Sequence, residues 1–160
     1  MYFNKKNNFY HGIMFHHFHD DNVHKKGQGS ISIDDFYKII KFIGRENIIN
    51  ADDFFIRFKE NKLKEKNVCI TFDDSNKSQY DVALPVLEDL KIKSFFFVCS
   101  SLFKGKPDFL DVYRYFRMNY FENIDDFYNS FYTFLDKNFD EFFSNNNEKI
   151  KLKKNKYPQY

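Results

Sequence analysis

The fold of this chain is decided by one stretch of sequence, Asn67-Val68-Cys69-Ile70-Thr71-Phe72-Asp73-Asp74-Ser75. Its centre is short, apolar and rich in β-branched and aromatic residues, which predicts a buried strand. Two acids directly after such a strand are expected at the rim of the sheet, because a buried carboxylate loses its hydration. At a rim the two carboxylates can hold a cation or accept a proton. The plainer alternative is an ordinary turn with Asx capping.

Strand and helix patterns alternate on both sides of this stretch. The predicted elements are a strand at 12–18, a helix from the N-cap Ser32 to Gly44, a short strand at 48–49, a helix opening at Asp52 or Asp53, the strand at 68–72, a helix near 79–91 with Pro85 in the first turn of its regular part, and a strand at 94–98. The helix after Asp53 is expected to pack a stripe of Phe54, Phe55 and Phe58. This alternation indicates parallel βαβ units.

After residue 104 the pattern changes to aromatic-rich helices. One helical face is formed by Phe109, Val112, Tyr113, Phe116 and Tyr120, and a second by Phe127, Phe131, Phe134, Leu135 and Phe139. Packing helices are favoured over membrane-surface helices, because the polar faces carry as much acid as base. Residues 144–160 are polar and rich in Asn and Lys, which predicts a disordered tail. The sequence therefore divides into segments 1–104, 105–143 and 144–160.

Size and charge exclude several classes of protein. The 160 residues suffice for one domain, and 25 basic against 23 acidic residues give no field that would favour nucleic acid as a partner. No apolar run is long enough to cross a bilayer, and no signal-peptide pattern follows the N-terminus, so we expect a soluble, cytoplasmic protein. Cys69 and Cys99 lie in apolar strand patterns and are expected to be reduced core residues.

The motif and its surroundings resemble a known family. Thr71-Phe72-Asp73-Asp74 resembles the first motif of the polysaccharide deacetylases (NodB-type carbohydrate esterases), whose usual form is Thr-Phe-Asp-Asp-Gly. Residues 83–98 resemble the helix and strand that follow this motif, and residues 13–16 and 30–36 resemble segments that precede it, so the resemblance covers about residues 10 to 104. It implies an α/β fold, an incomplete first half of a β/α barrel followed by aromatic-rich helices. A closed barrel needs about 200 residues or more.

The resemblance also implies a function and a site. The function is metal-dependent hydrolysis of N- or O-acetyl groups from a carbohydrate, with Asp73 as the general base, Asp74 as a ligand of zinc or a similar divalent metal, and His16 at the rim of the active site. The family completes its metal site with two histidines in the spacing His-x-x-x-His, and this sequence contains no such pair. We therefore expect weak or absent metal binding by this chain and a truncated site, which a second chain or subunit could complete.

Three alternatives stay open. The chain could be a non-catalytic fragment or interaction module that keeps part of the deacetylase fold. Paired acids at a strand end also serve Mg²⁺-dependent phosphoryl chemistry, but no convincing lysine follows at a later strand end, so we rank that reading last. His17 and His19 could ligate a metal as a His-x-His pair, although a solvated, His-rich loop is the favoured interpretation.

Overall fold

The computed structural model describes residues 11–143. Its strands are β1 (His11–Phe15), β2 (Val68–Phe72) and β3 (Phe95–Phe96). Its α-helices are α1 (Ile33–Ile43), α2 (Ala51–Lys59), α3 (Leu84–Asp89), α4 (Phe109–Tyr120) and α5 (Ile124–Phe143). Short helical turns of other kinds are Arg45–Asn47 and Leu102–Lys104, which are 3₁₀, and Gln79–Ala83, which is π-helical.

The three strands form a parallel sheet in the order β1-β2-β3. Phe15 pairs with Phe72, and Phe72 pairs with Phe96, so the carboxyl ends of the strands lie at the same edge of the sheet. The predicted α/β class is confirmed by this parallel sheet and the helices between its strands. Within residues 11–143 the sheet is open, and the barrel stays a prediction.

Helix α1 begins and ends where its capping residues predict. The Ser32 hydroxyl accepts a hydrogen bond from the Asp35 N–H at 3.1 Å, which satisfies one of the free donors of the first turn. Gly44 has a φ of 87° and donates its N–H to the Ile40 and Lys41 carbonyls. A side chain at this φ would be strained, so glycine suits the end of the helix.

One face of the sheet carries the core. Val68, Ile70 and Phe72 alternate along β2 and pack in one cluster with α1 and with residues 82–87. The ring of Phe36 from α1 meets the ring of Phe15 edge-on, with 5.1 Å between their centroids. Helix α3 begins at Leu84 with Pro85 in its first turn, as predicted.

Three predicted details differ from the structure. Residues 48–49 form only an isolated bridge from Ile48 to Val68, because a 3₁₀ turn precedes them and α2 starts at Ala51. The stripe on α2 is largely exposed, and Ala51 is the only buried residue of that helix. Strand β3 is two residues long, and Phe97 after it is exposed, since within the described residues this edge strand has a neighbour on one side alone.

The chain divides into two compact units, with the boundary between Val112 and Tyr113 inside α4. Both predicted aromatic helices are present, and α4 buries none of its residues. In the second unit, the ring of Phe121 contacts Phe116 and Phe127, with centroids 5.7 and 5.3 Å away. The predicted tail at 144–160 lies outside the described residues. None of the described helices is long and apolar enough to cross a membrane.

Candidate active site

His16 and Asp73 meet at the carboxyl edge of the sheet. Each follows its strand directly, and the pairing of Phe15 with Phe72 brings the two residues to the same level. The Asp73 N–H donates to the Phe15 carbonyl at 3.2 Å, which extends the ladder by one residue. His16 Nε2 lies 4.0 Å from Asp73 Oδ2, and both side chains are about one-third exposed, at 39% and 33%. The pair is therefore accessible to a solute, and backbone pairing brings its two residues to the same edge of the sheet.

The turn after Asp73 has an unusual backbone. Asp74 and Ser75 both have positive φ, 72° and 54°, in the left-handed region. Aspartate tolerates this region better than most residues. The family motif has glycine at the position of Ser75, and glycine adopts a positive φ without the steric cost that serine has. The Ser75 hydroxyl donates to the Phe97 carbonyl at 3.4 Å, which ties the turn to the end of β3. The Asp74 carboxylate is thus presented by a sharp turn at the same edge of the sheet.

Residues 76–79 contact the ends of β1 and β2. The Asn76 side chain donates to the His16 carbonyl at 3.3 Å, and the Gln79 side chain donates to the same carbonyl at 2.8 Å. Gln79 also donates to the Asp73 carbonyl. The sequence analysis missed Gln79. The available signal was a carboxamide six residues after the aspartate, followed by the apolar residues Val82 and Ala83 of a helix.

The other histidines of the His-rich segment have local partners. His19 is buried, and its Nδ1 lies 2.9 Å from the Ser30 hydroxyl. His24 Nε2 lies 2.7 Å from Asp81 Oδ2. Hydrogen bonds from Lys77 and then from His24 hold the pKa of the Asp81 carboxyl below its usual value. The His19 contact closes the loop after β1 on itself, and the His24 contact fastens that loop to the segment after β2.

Cys69 is a poor candidate for a nucleophile, because its side chain is buried. Both cysteines are free thiols, as expected, although Cys99 is only partly buried. Burial raises the pKa of the Cys69 thiol to about 11, and the thiolate is the reactive form of cysteine. The titratable pair at the sheet edge, His16 and Asp73, is the better candidate for chemistry.

The described residues do not by themselves fit a catalytic metal. Such sites normally have about three protein ligands. Within residues 11–143, no group of three or more His, Cys, Asp or Glu side chains is arranged to hold a metal ion. Asp74 as a ligand therefore stays a prediction, and the same holds for the roles of Asp73 and His16.

The comparison with known families decides what this edge of the sheet resembles. Residues 60–119 match the family model described as polysaccharide deacetylase, and this segment contains Thr71-Phe72-Asp73-Asp74 together with β3. The predicted resemblance to the polysaccharide deacetylases is confirmed. The match begins after α2, so the similarity of the segment around His16 to this family stays a prediction.

A solved structure is also similar to the chain. It is that of a de-N-acetylase from Aggregatibacter actinomycetemcomitans, with 21% sequence identity and a TM-score of 0.44. The similarity covers 54% of this chain and 36% of the other, so this chain spans about a third of that protein. No curated protein matches the sequence.

Proposed function

We propose that this chain is a deacetylase-like protein that acts in the hydrolysis of N- or O-acetyl groups of a carbohydrate. The match of residues 60–119 to the polysaccharide deacetylase family carries the proposal, because the matched segment includes both acids at the sheet edge. The 4.0 Å approach of His16 to Asp73 supports it. Families of this kind generally use a divalent metal, and we assign Asp74 to it as a ligand.

Asp73 is the proposed general base. A carboxylate that accepts a proton from water must be reachable by that water, and the Asp73 side chain is 33% exposed. His16 lies on the same side, where a protonated imidazole attracts the carboxylate and a neutral one can exchange a proton with solvent. We therefore assign proton acceptance to the Asp73 carboxylate. We assign to His16 the orientation of that carboxylate and the balance of its charge.

The remaining metal ligands come, in this proposal, from a second chain or subunit. The family spacing of two histidines is missing from the sequence. An incomplete barrel would leave the site short of these groups.

The role of Asp74 can be tested with Mn²⁺, which broadens the NMR signals of nearby amides even when it binds weakly. We expect the amides of residues 73–76 to broaden first as Mn²⁺ is added to the full chain, because two neighbouring carboxylates lie there. The broadening should disappear in Asp74→Asn. It should persist in Asp52→Asn, a control at an exposed acid that pairs with Lys93 at 3.1 Å. Broadening centred on another acidic segment, such as Asp125 and Asp126, would show that the assignment is wrong.

Acetate release tests whether the site is complete. We expect the chain to release acetate from an acetylated amino-sugar oligomer only at the background rate, with Zn²⁺, Co²⁺ or Ni²⁺ added. The missing ligands should cost most of the metal's contribution to the rate, on the order of several kcal/mol. Asp73→Asn should behave like the native chain. Robust turnover that is lost in Asp73→Asn would contradict the incomplete site and would establish a competent deacetylase.

A non-catalytic interaction module is the second candidate. The lack of a three-ligand group in residues 11–143 favours it. The Mn²⁺ experiment separates the two candidates, because an interaction module has no reason to concentrate a cation at Asp74.

A further inference from the structure

Gln79 is an unusual residue for its position. It is 1% exposed, although glutamine is mostly a surface residue. It opens the π-helical turn Gln79–Ala83, which precedes α3. Turns of this kind inside helices are rare and occur frequently at functional sites. A buried carboxamide needs hydrogen-bond partners, and the partners of Gln79 identify its role.

Both hydrogen bonds of the Gln79 amide nitrogen go to the edge that carries the acid–histidine pair. The nitrogen donates to the His16 carbonyl at 2.8 Å and to the Asp73 carbonyl. Carbonyl oxygens only accept, so the nitrogen and not the oxygen of the carboxamide must face them. One side chain thereby joins the backbone of the two residues whose side chains approach each other.

The residues next to Gln79 hold the same segment. The Asn76 side chain donates to the His16 carbonyl at 3.3 Å, and the buried Ser78 hydroxyl accepts from the Phe18 N–H at 3.3 Å. The Gln79 N–H donates in turn to the Asn76 carbonyl at 2.9 Å, which fixes the start of the turn. The chain after β1 is thus fastened to the chain after β2 at His16 and again at Phe18.

We propose that Gln79 is a positioning residue, which sets the distance between the His16 imidazole and the Asp73 carboxylate by bridging their backbone carbonyls. The strand ladder ends with the hydrogen bond from the Asp73 N–H to the Phe15 carbonyl, so it does not constrain the carbonyls of His16 and Asp73 that lie beyond it. The bridge supplies that constraint. This inference rests on the proposed function for its meaning, since the pair it positions is the proposed base and its neighbour.

The experiment measures how much the charge of Asp73 changes the NMR signals of the His16 ring. In the full chain, the ¹H and ¹⁵N resonances of the His16 ring are recorded with and without Asp73→Asn, in the native background and in Gln79→Met. Methionine has a similar size and flexibility but cannot donate to the carbonyls. The control background is Asn67→Leu, which removes a buried carboxamide at the opposite end of β2, where its oxygen accepts from the Lys64 N–H at 2.8 Å.

We expect Asp73→Asn to shift the His16 ring signals in the native and Asn67→Leu backgrounds and to shift them less in Gln79→Met. A separation that grew from 4.0 Å to about 8 Å would roughly halve a Coulomb interaction. The comparison is a double-mutant cycle, so a general loss of stability, which Asn67→Leu shares, does not produce the result. A second variant, Gln79→Asn, keeps the polar group but is one methylene too short to reach both carbonyls, and it should also reduce the shift.

An equal response of His16 in all backgrounds would overturn the positioning role. The ring signals report the pair itself and do not depend on acetate release or on a metal. If the cycle succeeds while the Mn²⁺ experiment fails, Gln79 positions a pair that has another function. If the cycle fails while Asp74 still concentrates Mn²⁺, the proposed function stands and this inference is wrong.

Discussion

Helices α1 and α4 have similar lengths, 11 and 12 residues, and both have aromatic and aliphatic residues at helical spacing, but their burial differs completely. In α1, Phe36, Ile40 and Ile43 are buried against the sheet. In α4 no residue is buried, and Tyr113 and Tyr120 are 64% and 72% exposed. An amphipathic pattern therefore predicts a helix in both segments, but it does not predict whether the described residues cover the apolar face.

The largest effect that this comparison predicts is at Phe36. Phe36→Ala should lower the free energy of unfolding by about 3–5 kcal/mol, because it removes a fully buried ring that contacts Phe15 and Phe18. Chemical unfolding followed by circular dichroism measures the change. Phe42→Ala is the control on the same helix, since Phe42 is 76% exposed and should cost much less. Equal losses in the two variants would contradict the packing described for α1.

The smallest effect is predicted at Phe116 of α4. Phe116→Ala should cost about 1 kcal/mol or less, because a half-exposed ring loses mainly its contacts with Tyr120 and Phe121. The same unfolding experiment measures it, with Tyr115→Ala as a control at a more exposed ring of the same helix. A loss at Phe116 as large as that at Phe36 would show that the aromatic face of α4 is covered in solution.

Local signals in the sequence were enough to predict the central elements of the fold. Ser32 and Gly44 mark the ends of α1 because capping depends on residues within one turn of the helix. Strand β2 follows directly from its apolar run at Val68–Phe72. The exposure of Phe55 and the shortness of β3 were not predicted, because both depend on which elements lie next to them in space.

The candidate site was predicted to a similar extent. The approach of His16 to Asp73 follows from two strand ends in a parallel sheet, and the structure contains it. The role of Gln79 was not predicted, since its bond to His16 joins residues 63 positions apart, and a carboxamide six residues after the aspartate does not by itself indicate which groups it bonds. The chemical roles of Asp73, Asp74 and His16 stay predictions.

The left-handed turn at Asp74 and Ser75 has a consequence for how variants of this site should be chosen. Most side chains at such a φ cost on the order of 1 kcal/mol or more, whereas asparagine, aspartate and glycine are tolerated. Asp74→Asn therefore changes charge while it keeps the backbone, but a bulky or β-branched residue at this position would alter charge and chain direction together. At Ser75, glycine would relax the strained turn, but it would also remove the hydroxyl that donates to the Phe97 carbonyl. The range of side chains acceptable at these two positions is thus set first by backbone geometry, before any contribution to binding or chemistry.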